Sequence, residues 1–278
     1  MTRPYAPAAE RPYAEVIGDP IAHSKSPMIH GFWLNVLGID ADYRATHVTA
    51  EGLPAYFADR RADPTWRGCN ITVPHKIMAL DEIEDRGDVR HTIGAINLAF
   101  RADDGAVIGT NTDGAGFYAP IADLPLQGAP VTVVGAGGAA RAILFALSRV
   151  GVGPVTILNR SPLKGAGLLS AFGLKGTVLP LDAAIPPCAL LVNASTLGMA
   201  GQPDFVPDLS ALPDDAVVYD IVYAPLETPL LAAARARDLD TVDGLEMLVG
   251  QAAVAFEILF GRAPPRERDE ELRGLLTA

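Results

Sequence analysis

Lys76 closes the stretch NITVPHK (Asn70 to Lys76), and Asp113 stands in GTNTDG (Gly109 to Gly114). A lysine beside a carboxylate can pass a proton to a carbonyl oxygen while a nicotinamide passes a hydride to its carbon. A glycine-rich turn, GAGGAARA (Gly135 to Ala142), follows soon after. Together these features point to the interconversion of a carbonyl and an alcohol.

Four polar clusters interrupt apolar stretches in the first half: His23-Ser24-Lys25-Ser26, Thr72 with Lys76, Asn97, and Asn111-Thr112-Asp113. Each falls at or just after a predicted strand end, where open α/β sheets place ligands. Ser24 and Ser26 flank a single residue, so both hydroxyls can meet one carboxylate. Hydroxyls, an amide, a lysine and an aspartate together suit a small polyhydroxylated acid. Taken singly, the same residues have plainer uses. Ser24 and Ser26 suit the cap of the helix that follows, Asn97 and Asp113 suit turns or caps, and a lone lysine is usually solvated.

GAGGAA fits the pattern G-x-G-x-x-G/A with Gly135, Gly137 and Ala140. The run VTVV precedes it and a helical pattern follows, which is the context a dinucleotide turn requires. Gly135 permits the tight turn, Gly137 lets a pyrophosphate approach the backbone, and Ala140 allows close helix–strand packing. The helix N-terminus adds unpaired N–H groups and partial positive charge. At the end of the next strand, where an acid would mark NAD, the chain reads Asn159-Arg160-Ser161-Pro162-Leu163-Lys164. Arg160 and Lys164 can pair with a 2′-phosphate and Ser161 can donate to it, so the expected cofactor is NADP.

The elements that must position these groups alternate. Strands are predicted at Ala14–Ile17, Asp42–Val48, Gly68–Thr72, Ala95–Phe100 and Ala106–Ile108. Helices are predicted at Pro27–Leu37, Leu53–Arg60, His75–Glu84 and Gly114–Ala122. Met28, Phe32 and Val36 give the first helix a face for burial, and Pro74 suits the first turn of the third. Residues 1 to about 12 read as a loose polar arm, and Asp123–Pro130 as a connection. Beyond it come strand Val131–Val134, helix Gly138–Arg149, strand Val155–Leu158, strands Leu190–Asn193 and Val217–Val222, helix Pro229–Arg237 and a short strand near Thr241–Val242. Such alternation implies a parallel sheet. Helix Leu245–Phe260 is apolar around much of its circumference and should be clamped between layers. The tail RAPPRERDEELRGLLTA reads as a solvated helix end.

At 278 residues the chain has room for two domains or one large α/β unit. Charged residues make up 20% and hydrophobic ones 49%, a globular composition. A net charge of -11 weighs against a nucleic-acid partner. It also means that an anionic substrate must be held by local groups against the overall field. Cys69 and Cys188 have no metal or redox spacing, which fits a reducing cytoplasm. The N-terminus lacks the apolar core of a secretory signal, and no uncharged apolar run reaches the about 18 residues of a membrane span. The five histidines, His23, His30, His47, His75 and His91, show no ligand spacing, so no metal is expected. No G-x-S-x-G elbow is present.

With these residues in hand, the chain resembles the shikimate dehydrogenases. The likeness runs from about Ala14 to Gly261 and rests on GDPIAHSKSP (Gly18–Pro27), NITVPHK, IGAIN (Ile93–Asn97), GTNTDG, GAGGAARA, NRS (Asn159–Ser161), NASTLGM (Asn193–Met199), YDIVYAPLETPLL (Tyr219–Leu231) and DGLEMLVGQAA (Asp243–Ala253). It implies an α/β fold of two domains: a substrate-binding domain over 1–112, completed by helices of 244–278, and a Rossmann-type doubly wound NADP-binding domain over 113–243. It implies NADP-dependent interconversion of shikimate and 3-dehydroshikimate in aromatic amino-acid biosynthesis. Ser24 and Ser26, with Tyr223 nearby, would hold the substrate carboxylate. Thr72, Lys76, Asn97, Asp113 and Gln251 would hold the ring hydroxyls. Gly135, Ala136, Gly137, Gly138 and Ala139 would hold the pyrophosphate, and Asn159, Arg160, Ser161 and Lys164 the adenosine phosphate. Ile221 and Gly244 would lie against the nicotinamide end, and Asp88 matches a position sometimes assigned to cofactor contact. Gly31, Leu98 and Glu246 depart from the residues common at those positions, and Glu246 adds negative charge beside Gly244.

The mechanism expected on this basis has Lys76, as ammonium, protonating the nascent alkoxide while Asp113 orients it. Domain closure with a hinge near Asp113 and Asp243 is a further expectation. A homodimer stands as an open alternative to a monomer. The rival readings are an NAD-using quinate/shikimate dehydrogenase, a non-catalytic dinucleotide-binding sensor and, more distantly, a folate-linked dehydrogenase.

Overall fold

Two sheets, each with its own buried apolar layers, account for the strands of the computed structural model, which describes residues 11–278. The arm read at residues 1 to about 12 lies outside the described residues as far as residue 10. The first sheet orders its strands β2-β1-β3-β4-β5, with β1 Tyr13–Gly18, β2 Asp42–His47, β3 Trp66–Ile71, β4 Leu98–Arg101 and β5 Val107–Thr110. β1 runs parallel to both β2 and β3 and is buried along its whole length. That is why YAEVIG lacks the clean polar alternation of a half-exposed strand. β3, β4 and β5 continue the sheet as antiparallel neighbours.

The second sheet is wholly parallel, in the order β11-β10-β9-β6-β7-β8. Its strands are β6 Val131–Val134, β7 Val155–Leu158, β8 Gly176–Leu179, β9 Leu190–Asn193, β10 Val217–Asp220 and β11 Asp240–Val242. The order reverses between β6 and β9, and the carboxyl ends of strands at such a switch point open a ligand crevice.

The helices are α1 Ser26–Leu37, α2 Leu53–Ala62, α3 Val89–Thr92, α4 Asp113–Tyr118, α5 Gly138–Val150, α6 Pro162–Ala171, α7 Pro229–Arg235, α8 Gly244–Phe260 and α9 Asp269–Thr277. α4 and α8 cross at close range. A Cβ on Gly116 would lie 2.8 Å from the Met247 carbonyl oxygen, so only glycine lets the helices meet there. α8 is buried on most sides, as its all-round apolarity requires, with Leu245, Val249 and Phe256 in one cluster with Ile29 and Trp33 of α1.

Several elements differ from the sequence expectation. The buried face of α1 is Ile29, His30, Trp33 and Leu34, while Met28 is 48% exposed. Apolar residues surround this helix, so four-residue spacing alone did not give its phase. The helix expected over His75–Glu84 shrinks to a 3-10 turn, Met78–Glu82, and Pro74 lies in a turn ahead of it. Here the Lys76 carbonyl accepts from the Ile96 N–H at 2.7 Å, a tertiary bond that competes with continuing the helix. Gly114–Ala122 divides into α4 and a 3-10 turn, Ala119–Ile121, at Pro120, which has no N–H to extend the ladder. The tail is a docked helix, with Leu272 and Leu276 of α9 buried against α1 and α8.

Candidate active site

The Asp113 carboxylate is fixed by the start of α4 and the neighbouring strand ends. Its own N–H donates to Asn111 Oδ1 at 2.9 Å, and Asn111 Nδ2 in turn donates to the Ala95 carbonyl at 2.8 Å. Asn97 Nδ2 donates to Asp113 Oδ1 at 2.8 Å and to Thr112 Oγ1 at 2.9 Å. Asn97 Oδ1 accepts from the Thr112 N–H at 2.7 Å. From α8, Gln251 Oε1 comes within 3.3 Å of the same Asn97 amide, and Gln251 Nε2 donates to the Leu248 carbonyl at 2.8 Å. Lys76 Nζ donates to Asp113 Oδ2. The side chains of Lys76 and Asp113 are only 14% and 4% exposed, so the pair sits in a shielded place where its geometry is held. Lys76, Asn97, Thr112, Asp113 and Gln251 therefore form one connected network.

The segment that leads from β1 into the serine loop starts beside Thr72. Gly18 ends β1 so close to Thr72 that a Cβ there would sit 2.6 Å from Thr72 Cγ2, and the Asp19 N–H donates to the Val73 carbonyl at 3.1 Å. Ser24 Oγ accepts from the Ser26 N–H at 3.3 Å, and neither serine caps α1, whose cap position is Lys25. Tyr223 follows β10 of the second sheet, yet its ring packs against the apolar cluster shared by α1 and α8 that contains Ile21, Ile29 and Leu245. Burial raises its phenol pKa above the usual range.

The glycine turn meets the lysine directly. Gly135 has φ 104, a left-handed conformation, and a Cβ there would lie 3.0 Å from the Ala194 carbonyl oxygen across the switch point. A Cβ on Gly137 would meet nothing within 4 Å, which leaves a clear approach to the backbone. A Cβ on Gly138, first residue of α5, would lie 3.1 Å from Lys76 Cβ and 3.4 Å from Lys76 Cδ. The lysine's alkyl stem thus rests on the glycine turn. Ala136 and Ala139 are half-buried beside it, while Ala140 is fully buried against the sheet. No side chain caps this end of α5, so its first N–H groups remain oriented for an anion.

Asn159, Arg160 and Pro162 line a pocket of about 460 Å³ at the ends of β7 and β8, together with Pro180, Leu181 and Asp182. Asn159 Nδ2 donates to the Ser161 carbonyl at 2.8 Å, shaping the turn into α6. Arg160 and Lys164 are exposed and form no ion pair among the described residues. A cavity of about 540 Å³ between the loops after β9 and β10, lined by Gly198, Met199, Pro225 and Thr228 among others, contains no member of the lysine network. Gly244, which opens α8, is packed so closely that a Cβ would lie 2.5 Å from the Ile221 carbonyl oxygen, which joins Ile221 to the start of that helix. Asp88 stands on the surface at the start of α3 with His91 Nδ1 2.6 Å away, outside the lysine network.

Two groups escaped the sequence reading. Asp220, fully buried at the end of β10, accepts from Asn193 Nδ2 at 2.9 Å, the Val222 N–H at 3.0 Å and Thr228 Oγ1 at 2.8 Å. Burial pushes its carboxyl pKa up in spite of those donors. The Val222 bond turns the chain and ends β10 at Asp220, short of the expected Val222. Thr228-Pro229, a cap residue before a first-turn proline, was the available signal for the far end of this clasp. Arg273 on α9 bonds Asp243 and Glu246. Nothing in the local pattern indicates partners so far away in the chain.

Among the described residues no three His, Cys, Asp or Glu side chains are grouped to hold a metal ion, and no helix is long and apolar enough to cross a membrane. The family model for the shikimate dehydrogenase substrate binding domain matches residues 16–99, and that for the shikimate 5'-dehydrogenase C-terminal domain matches residues 244–272. A shikimate dehydrogenase (NADP(+)) of Sphingopyxis alaskensis is 66% identical over 278 residues, covering 100% of both chains. The structure of a Thermus thermophilus shikimate 5-dehydrogenase in complex with NADP(H) and shikimate is 35% identical, with a TM-score of 0.84 over 95% of this chain and 99% of that one. A ligand-free 5-ketofructose reductase of Gluconobacter reaches a TM-score of 0.85 at 29% identity, over 96% of this chain and 100% of that one. The backbone alone thus serves more than one ketone, and identity along the whole length decides between them: this chain belongs to the shikimate dehydrogenase family.

Proposed function

We propose that this chain catalyses the reversible, NADPH-dependent reduction of 3-dehydroshikimate to shikimate, a step of aromatic amino-acid biosynthesis. One observation carries the chemistry: the Lys76 ammonium, bonded to Asp113, has its stem seated on Gly138 of the dinucleotide turn. Proton donor and coenzyme cradle are therefore already in contact. The relatives named for NADP and shikimate supply the substrate and the cofactor.

The residues present fit the dinucleotide. Gly137 offers an unobstructed backbone, the bare N-terminus of α5 offers N–H donors, and Arg160 and Lys164 stand beside Asn159 and Ser161 where a 2′-phosphate would fall. When bound, the coenzyme supplies a hydride to the ketone carbon. Lys76 gives its proton to the ketone oxygen as that oxygen becomes an alcohol. Asp113 aims the ammonium, and Asn97 and Asn111 hold Asp113 and its backbone in turn. Ser24 and Ser26, with Tyr223, bind the substrate carboxylate, while Thr72, Asn97 and Gln251 bind ring hydroxyls. Ile221 and Gly244 border the nicotinamide. In the oxidising direction a neutral Lys76 accepts the proton from the alcohol oxygen.

We divide the chain into a substrate domain, 1–112 completed by 244–278, and a cofactor domain, 113–243, that close upon each other about Asp113 and Asp243. We place the enzyme in the cytoplasm, where the buried Cys69 and Cys188 remain thiols. The test is a spectrophotometric assay of 3-dehydroshikimate, shikimate and quinate with both nicotinamide cofactors. NADPH consumption with 3-dehydroshikimate supports the function. Faster turnover of quinate with NAD would replace it with the quinate/shikimate reading, and NADPH binding without turnover would make the chain a sensor.

A further inference from the structure

α9 touches both ends of the site. Its buried Leu272 and Leu276 seat it on α1 and α8. From its outer edge Arg273 reaches the turn that opens α8: Nη2 donates to Asp243 Oδ2, and Nη1 donates to Glu246 Oε1 at 3.0 Å. Asp243 is the cap of α8, accepting from the Leu245 N–H at 3.0 Å, and its neighbour Gly244 packs on Ile221. At the far end of α9 the Leu276 carbonyl, one of the last-turn oxygens without a helical partner, accepts from Lys25 Nζ. Lys25 lies between Ser24 and Ser26. One short helix is therefore bonded to both the turn at Gly244 and the serine loop.

Charge gives the same geometry a second consequence. Asp243 and Glu246 place two carboxylates in or next to the first turn of α8, in a chain of net charge -11. Both expected ligands are anions. Arg273 is the cation that meets the two carboxylates, and the carboxylates hold its guanidinium in the charged form.

We propose that Arg273 is a positioning residue for ligand binding: α9 acts as a brace that fixes the Gly244 turn and, through Arg273, cancels the repulsion that Asp243 and Glu246 would exert on anionic ligands. This builds on the placement of the nicotinamide end at Ile221 and Gly244. Arg273 bonds no member of the Lys76 network directly, so binding and proton transfer should separate. In Arg273→Ala the Kd for NADPH, read by nucleotide fluorescence, and the KM for NADPH should rise about three- to tenfold, with kcat within about twofold of wild type. The added change Glu246→Gln should recover part of that loss, because it removes one of the carboxylates left unpaired.

An Arg273→Ala protein with unaltered NADPH affinity would overturn the inference. So would a fall in kcat alone, or a rise in KM that Glu246→Gln does not reduce. Should Arg273→Ala fail to fold, Arg273→Gln decides, since it keeps much of the stem but loses the charge: a rise in Kd supports the brace and an unchanged Kd refutes it. Because Kd is measured without turnover, a wild-type protein inactive on 3-dehydroshikimate would count against the substrate assignment and leave the brace to be judged on binding alone.

Discussion

Lowering the pH from 7 to 5 should cost the folded state about 2 kcal/mol at a single buried ring, that of His30. The imidazole is fully buried on α1, stacked on Tyr43 with centroids 3.9 Å apart, met edge-on by Trp33, and flanked by Phe256 at 5.8 Å. Neither ring nitrogen has a hydrogen-bond partner among the described residues. An imidazolium there would be charged, desolvated and unpaired, and burial lowers the pKa from 6.5 to about 3. The unfolded chain takes up the proton near pH 6.5 while the folded chain refuses it down to about pH 3. Stability from this site is thus intact above pH 6.5 and is lost as pH falls through the window between those values. Integrating from pH 7 to 5 gives about 2 kcal/mol, and by pH 4 about 3 kcal/mol. The assay is urea denaturation of wild type and His30→Phe at pH 7 and pH 5. The larger ring in the variant adds a packing cost, but that cost is common to both pH values and cancels in the difference. Wild type should lose about 2 kcal/mol more than the variant on acidification. Equal losses in the two proteins would mean that His30 is protonated, or hydrated, in the folded state.

Lys76→Ala should lower kcat at least about a hundredfold with little change in KM, measured as NADPH consumption, and near-wild-type kcat would refute the proton-donor role. The same change strands a buried carboxylate, so adding Asp113→Asn should raise the melting temperature of the variant without restoring activity. Gly138→Ala should lower kcat roughly three- to tenfold by displacing the lysine stem, whereas Gly137→Ala, whose methyl faces the ligand side, should act on the KM for NADPH. If both variants show the same split between kcat and KM, the contact of Lys76 with Gly138 has no kinetic role. Arg160→Ala should reduce kcat/KM for NADPH about ten- to a hundredfold and leave NADH unaffected. An undiminished NADPH preference would assign the 2′-phosphate to other residues.

The parallel sheet was the most legible part of the fold. β6, β7 and β9 have the expected bounds; β6 stops before a glycine and β7 before an asparagine, while β9 ends on one, Asn193. β8 and α6 went unread. GTVL forms an edge strand that is half-exposed, and PLKGAGLLSA contains two glycines that blur the helical pattern. Lys76 and Asp113 stood out by their residue types and are bonded to each other, yet the turn that carries Lys76 was read as a helix. That turn is set by the Ile96 N–H, twenty residues further on. Asp220 and Arg273 share this character. Each acts through bonds to residues distant in sequence, and local periodicity carries no signal of such bonds.

Asn97 shows how a network that satisfies itself can still receive a polyol. Its amide nitrogen has two hydrogens but three acceptors in reach: Asp113 Oδ1 at 2.8 Å, Thr112 Oγ1 at 2.9 Å and Gln251 Oε1 at 3.3 Å. One acceptor is always in surplus, and the longest distance identifies it as Gln251. Gln251 Nε2 gives one of its two hydrogens to the Leu248 carbonyl, so its oxygen and its second N–H can both meet an incoming hydroxyl. The two shorter bonds hold Asp113, and with it Lys76, whether or not that hydroxyl arrives. On the proposed function, binding would draw on the spare acceptor and leave Lys76 and Asp113 in place. On this account Gln251→Ala should raise the KM for the substrate while sparing kcat, and a collapse of kcat instead would place Gln251 among the groups that hold Asp113.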